Sequence, residues 1–246
     1  MKVLVVGAAI RDRRKSRGEG MAARSVWVSV QLRDWISAAR PALVEVIGSR
    51  SFAEQSRDFA LDMIQLAQSA ELAVVWHLRP PSSMGSGTSM QARDVIRSLV
   101  RQTTASYHEQ LSDSDLDERM IAMCATDEEW LSLFVHILSF LPRVAVVIDA
   151  YDNSHQMLSM VKDFWDILNR TQIDTVIKML VLTYPTPGSD GLSMTKSSEV
   201  AYYKVNLGQD RKPGTSRISQ LQRGRGSRQA ASRGSSKLEK FRLLMK

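Results

Sequence analysis

The chain has 246 residues, 43% of them apolar, a formal net charge of +7, and one cysteine, Cys124. That much apolar content is ample for a sizeable core. No uninterrupted apolar run approaches the roughly 20 residues needed to span a bilayer, so a transmembrane helix is excluded. A lone cysteine and four scattered histidines can form neither an internal disulfide nor a Cys/His zinc cluster, which suits a reducing, intracellular compartment, cytoplasmic or nuclear.

The positive charge is unevenly placed. From Arg211 to Lys246 eleven Lys/Arg face one acid, a net +10, which leaves 22 basic and 25 acidic residues, or −3, in the first 210. The body is mildly acidic, and any argument from the basic pI concerns the tail alone.

Lys2 to Gly7 fits a short strand, but Arg11 to Gly20 holds five basic residues and two glycines and reads as a loop. No secretory leader is expected, because Arg11 to Lys15 interrupts the opening apolar run before an h-region of about 7 to 15 residues can develop. Gly7-Ala8-Ala9-Ile10 lacks the Gly-x-Gly-x-x-Gly of a dinucleotide fingerprint. Residues 1–25 are set apart as a weakly structured segment.

From Val26 the pattern becomes regular, through Trp35-Ile36 and Pro41 into Ala42 to Ile47, which reads as a buried strand ending at Gly48. Phe59, Met63, Leu66 and Ala67 then share one face of a helix between Ala53 and Ser69. Leu72 to Trp76 is a second strand, followed by Arg79-Pro80-Pro81 and a Ser/Gly-rich loop. Gln91 to Tyr107 predicts a helix with Val95, Ile96, Leu99 and Val100 inward. After an acidic connection, Asp127 to Leu141 predicts a helix with Trp130, Phe134, Leu138 and Leu141 on one face, its first-turn acids matching the helix dipole. Pro142 stops it. Arg143 to Asp149 is the strongest strand signal, a run of β-branched residues ending in a carboxylate. A helix over Ser154 to Arg170 buries Leu158, Val161, Trp165 and Leu168. Ile177 to Thr183 is another strand, and Val200 to Val205 a last one.

Apolar runs separated by amphipathic helices predict a doubly wound, mainly parallel α/β sheet with helices on both faces, over residues 26–208. Residues 209–246 have too little apolar content to fold and predict a disordered basic tail.

In such folds the ligand site lies at the carboxyl ends of the strands. These are Gly48-Ser49-Arg50-Ser51, Arg79-Pro80, Asp149-Ala150-Tyr151-Asp152-Asn153 and Thr183-Tyr184-Pro185, in the order of a P-loop NTPase. Together with Arg40 to Ser49, Ala73 to Trp76, Val146 to Asp152 and the distinctive Asp94-Val95-Ile96-Arg97-Ser98-Leu99-Val100-Arg101-Gln102, they make the chain resemble the fungal branch of the STAND (NACHT-like) signal-transduction NTPases over residues 41–185. The resemblance implies an ATP- or GTP-binding switch module from a longer protein with effector and repeat domains, of which this chain is read as a fragment. It also implies Mg²⁺ linked to the carboxylate at Asp149.

The residues depart from that pattern. A phosphate loop needs Gly-x-x-x-x-Gly-Lys-[Ser/Thr], whose backbone amides, ammonium and hydroxyl hold phosphate and Mg²⁺. Framed from Gly48, those last three places hold Ala53, Glu54 and Gln55. Asn153 stands where the family closes with Glu, and Tyr184 where it has Arg. The expected remnant of a nucleotide site is therefore Gly48, Ser49, Arg50, Ser51, Arg57, Asp149, Asp152 and Thr183, with Arg50 or Arg57 as stand-in cations and Asp149 weighed equally as a cap for the following turn. No catalytic residue is assigned, and no cofactor is expected beyond residual ATP or GTP with Mg²⁺. The role expected is a scaffold or regulatory module with protein partners. The alternatives are an active NTPase with an unorthodox loop, or RNA or anionic-lipid binding through tail residues Arg223, Arg225, Arg228 and Arg233. The tail's last apolar residues, Leu238, Phe241, Leu243 and Leu244, fit a short amphipathic helix. His136 reads as a hydrogen-bonded core histidine and Cys124 as a small buried apolar residue.

Overall fold

The computed structural model describes residues 29–79, 91–112, 116, 118–151, 154–171, 173–185, 192 and 201–207. Expectations for residues 1–28, for Asp152 and Asn153, and for the tail from residue 208 lie outside them.

The chain enters through helix α1 (Val30–Ser37), capped by Ser29, whose hydroxyl accepts the Leu32 N–H at 3.1 Å. Leu32, Trp35 and Ile36 are buried, and the Trp35 indole donates to the Ala42 carbonyl at 2.9 Å, tying the helix to strand β1 (Ala42–Ile47). Gly48 and Ser49 lead into a single 3₁₀ turn (Arg50–Phe52) and helix α2 (Ala53–Ser69). There follow strand β2 (Ala73–His77), helix α3 (Ala92–Ser106), short helix α4 (Glu118–Met123) and helix α5 (Asp127–Ser139). Strand β3 (Arg143–Asp149), helix α6 (Ser154–Thr171) and strands β4 (Val176–Thr183) and β5 (Ala201–Asn206) complete the order. A capping box starts α5: the Thr126 hydroxyl accepts the Glu129 N–H, and the Glu129 carboxylate accepts the Thr126 N–H.

The five strands form one sheet in the order β2-β3-β4-β1-β5, and every neighbouring pair is parallel. The expected parallel α/β architecture is therefore present. Side chains alternate between two cores. Leu43, Val146, Ile148 and Val181 pack under α3, α5 and α6, while Val44, Val46, Val147 and Leu182 pack under α1 and α2. Every residue expected inward on α2, α3 and α5 is buried, as are Val161, Trp165 and Leu168 of α6; Leu158 is half-buried.

Strand β2 borders the sheet, and side chains of α3 hold its free edge. Tyr107 Oη accepts the Val74 N–H at 2.5 Å, and Gln102 Oε1 accepts the Trp76 N–H at 2.8 Å. The glutamine that ends the distinctive helix segment thus has a structural task, satisfying backbone groups on an edge strand. Sequence order reverses at β1: the chain leaves it through α2 to the far edge and returns across β3 and β4 under helices of the other face. Such a reversal places a crevice at the carboxyl ends of the central strands.

Candidate functional site

That crevice is lined by the residues closing β1, β2, β3 and β4. The Gly48 N–H donates to the Thr183 carbonyl at 2.9 Å, which extends the β1–β4 ladder one residue past the strand. Beyond it the chain turns tightly rather than opening into a broad loop. Phe52 N–H donates to the Ser49 carbonyl at 2.9 Å and Ala53 N–H to the Arg50 carbonyl, so two amides at the start of α2 are already satisfied. Ser49 and Ser51 share a hydroxyl contact of 2.6 Å at the exposed tip.

Gly48 is needed for space. A Cβ there would lie 2.8 Å from Ser56 Oγ and 3.4 Å from Tyr184 Cε1. Tyr184 therefore covers the glycine turn from the end of β4, and its ring meets Tyr151 edge to face at 5.1 Å. The Tyr184 hydroxyl is buried beside the Ser56 hydroxyl, which donates to the Phe52 carbonyl at 3.0 Å, and among the described residues it makes no hydrogen bond of good geometry. Burial, and secondarily the Asp149 charge, hold this phenol well above its ordinary pKa.

Charge in the crevice is arranged around two carboxylates and two arginines. Glu54, in the first turn of α2, pairs with Arg57 one turn on, and its other oxygen lies 3.8 Å from Arg79 Nη2 at the end of β2. Arg57 is 3% exposed, and its Nε and Nη1 have no hydrogen-bond partner among the described residues. Arg79 lies over the Tyr151 ring, its Cζ 3.6 Å from the centroid, and Arg50 approaches the same ring at 5.6 Å. Asp149, 5% exposed, accepts the Tyr151 N–H at 3.2 Å, the turn-capping contact weighed from the sequence. Burial pushes its carboxyl up to about 6, against the pull of the Arg79 guanidinium, the Tyr151 and Arg79 amides, and Arg57.

Of the sequence-predicted residues, Gly48, Arg57 and Asp149 come together here, with Arg50 at the margin. Thr183 is turned away: its hydroxyl donates to Glu45 Oε1 at 2.8 Å in the opposite core. Asp152, Arg223, Arg225, Arg228 and Arg233 lie outside the described residues. Two further expectations need correction. His136 is half-buried and packs edge to face against Phe140 at 5.0 Å, with no place in the core interior. Cys124 is also half-buried rather than buried, its Sγ 3.2 Å from the Met120 carbonyl oxygen.

Arg79 and Tyr151 are the site residues that the sequence expectations leave out, although both stand in the strand-closing segments, and Tyr184, expected only as a departure from the family's arginine, proves to cover the glycine turn. A triphosphate entering this crevice meets a carboxylate in place of an ammonium, amides already bonded, and a tyrosine ring over the glycine turn. This donor set does not fit a nucleoside triphosphate with Mg²⁺. Among the described residues no three His, Cys, Asp or Glu side chains gather as a metal site, and no helix is long and apolar enough to cross a membrane. In comparisons with known proteins, no family model and no curated protein matches this chain.

Proposed function

We propose that this chain is a degenerate STAND/NACHT-like domain that acts as a scaffold or regulatory interaction module without efficient nucleotide hydrolysis. The observation that carries the reading is the placement of Glu54. It occupies the position of the phosphate-loop lysine and pairs with Arg57 and Arg79, two cations beside the glycine turn. A phosphate oxygen near 4 Å from that carboxylate meets a repulsion of about 4 kcal/mol at an effective dielectric near 20, before relaxation or screening by the arginines. Binding must also detach an arginine from an ion pair in which Arg57 is fully desolvated, and breaking such a pair is expensive. Both faces of the parallel sheet are covered by the apolar sides of helices, so its core is built from the chain's own side chains, which suits a platform for protein partners. A cytoplasmic or nuclear site of action agrees with the single thiol.

Calorimetric titration with Mg²⁺-ATP and Mg²⁺-GTP, combined with a steady-state hydrolysis assay, tests the reading. Neither nucleotide should bind in the micromolar range or turn over. Micromolar binding or steady hydrolysis that disappears in Asp149→Ala would identify an active NTPase with an unorthodox loop instead.

A further inference from the structure

We infer that Glu54 is the resident anion of an oxyanion site formed by Arg57 and Arg79, so that the crevice closes on its own carboxylate and keeps its assembled form with no ligand. The inference rests on the degenerate reading above and adds how the site is regulated: through an intramolecular counter-ion.

Three observations support it. Arg57 is 3% exposed, and a guanidinium so far from water is stable only beside a fixed negative charge. Two of its nitrogens, Nε and Nη1, are buried without partners among the described residues, so the donor capacity of the site exceeds what one carboxylate uses. Arg79 reaches Glu54 Oε1 at 3.8 Å from the end of β2, so the carboxylate adds an ionic link between the start of α2 and that strand end. Asp149, the other described acid near these arginines, accepts the Tyr151 amide and feels both guanidinium charges, whereas Glu54 is the one in ion-pair contact with them. A tetrahedral oxyanion has the charge and the acceptor count to take over the carboxylate's place, and its extra oxygens would engage the two unpartnered nitrogens.

The prediction is chemical rescue. In Glu54→Ala the thermal midpoint falls by about 5 °C or more, and inorganic phosphate or pyrophosphate at tens of millimolar, about ten times its dissociation constant, restores at least half of the loss. Sodium chloride at matched ionic strength does not. The unmodified protein responds identically to phosphate and chloride. Adding Arg57→Met to Glu54→Ala removes the rescue. Glu54→Ser, which vacates the same space, is carried in parallel and shows the same phosphate-specific gain if Glu54→Ala does not fold. Equal responses of the Glu54 variants to phosphate and chloride overturn the inference, as does saturable phosphate stabilisation of the unmodified protein. The two readings fail separately, because nucleotide hydrolysis by the unmodified protein sinks the degenerate reading, whereas absent rescue in a protein silent toward ATP and GTP sinks only the counter-ion.

Discussion

Arg79 and Tyr151 close neighbouring strands and stack on each other, the guanidinium carbon 3.6 Å from the ring centroid. The contact joins the β2 and β3 ends above the crevice while leaving Arg79 Nη2 3.8 Å from Glu54 Oε1. A cation over a tyrosine face contributes about 0.5 to 2 kcal/mol, more when water is excluded. A double-mutant cycle with Arg79→Met and Tyr151→Leu, read by urea denaturation, should give a coupling energy in that range. The Arg79→Met single variant should lose more than Tyr151→Leu, because it also strips a cation from Asp149 and Glu54. Additive losses would mean that the stacking contributes nothing.

Gly48→Ala should destabilise the domain by about 1 to 3 kcal/mol, the cost of overpacking a close contact. The added methyl would sit 2.8 Å from Ser56 Oγ, and Ser56 is buried and cannot swing into solvent. Adding Ser56→Gly removes the obstructing atoms, so the double variant should be more stable than the sum of the two single losses predicts. A Gly48→Ala protein as stable as the parent would show that the turn has room to relax.

Much of this architecture is legible because a buried parallel strand is written as a largely apolar run, as β1 to β4 are, with Glu45 and Lys178 as the charged interruptions of β1 and β4. Helix α1 was not separated from β1 because its single face, Leu32, Trp35 and Ile36, spans only two turns before Pro41. Helix α4 was missed for a similar reason, being six residues after an acidic stretch. At the site, an acid at Glu54 where the resemblance expects lysine is legible from spacing, whereas its pairing with Arg79 depends on the segment just past β2 lying beside the end of β1 across β3 and β4, which no local pattern encodes. Glu45 was hidden inside the run Ala42 to Ile47. An acid in the middle of a buried strand was the available signal that a polar network waits there.

The Asp149 carboxyl is pushed up to about 6 from an ordinary 3.8. Folding then favours its protonated form, so the contribution of this group to stability is fully present below about pH 4, declines as pH rises toward 6, and stays level above that. The full span is about 3 kcal/mol at 1.36 kcal/mol per unit, the pull of Arg57 and Arg79 being already contained in the raised value. Asp149→Asn, which cannot ionise, should flatten the stability profile between pH 4 and 6 and leave the variant at least as stable as the parent at pH 7. Urea midpoints measured at intervals of pH decide the matter: an unchanged slope would place the titration on another group.

The final expectation concerns Glu45, fully buried at the middle of β1 and facing the β4 and β5 strands on either side. Its carboxylate accepts from the Thr183 hydroxyl at 2.8 Å, the Leu192 N–H at 3.1 Å and the Tyr202 hydroxyl, with Lys204 Nζ at 3.7 Å. Tyr202 Oη in turn lies 2.9 Å from the Leu192 carbonyl oxygen. Among the described residues strand β5 lies at the sheet edge and pairs with β1, so this network adds to the packing of Val205 and Leu207 in attaching it. Removing the carboxylate leaves several buried donors without acceptors, and breaking a buried charge from its partners costs about 3 to 5 kcal/mol. Glu45→Ala should therefore be strongly destabilised. In Glu45→Gln, which preserves shape but not charge, the β5 amides of residues 201–206 should exchange with solvent at least tenfold faster, while those of β3 and β4 keep their protection. Local loosening of this kind is expected where an element has few backbone partners. Tyr202→Phe should produce a smaller loosening, and the double variant with Glu45→Ala should lose less than the two single losses combined, because both act on one network. Uniform acceleration across all strands would show that Glu45 supports the whole sheet rather than holding its edge.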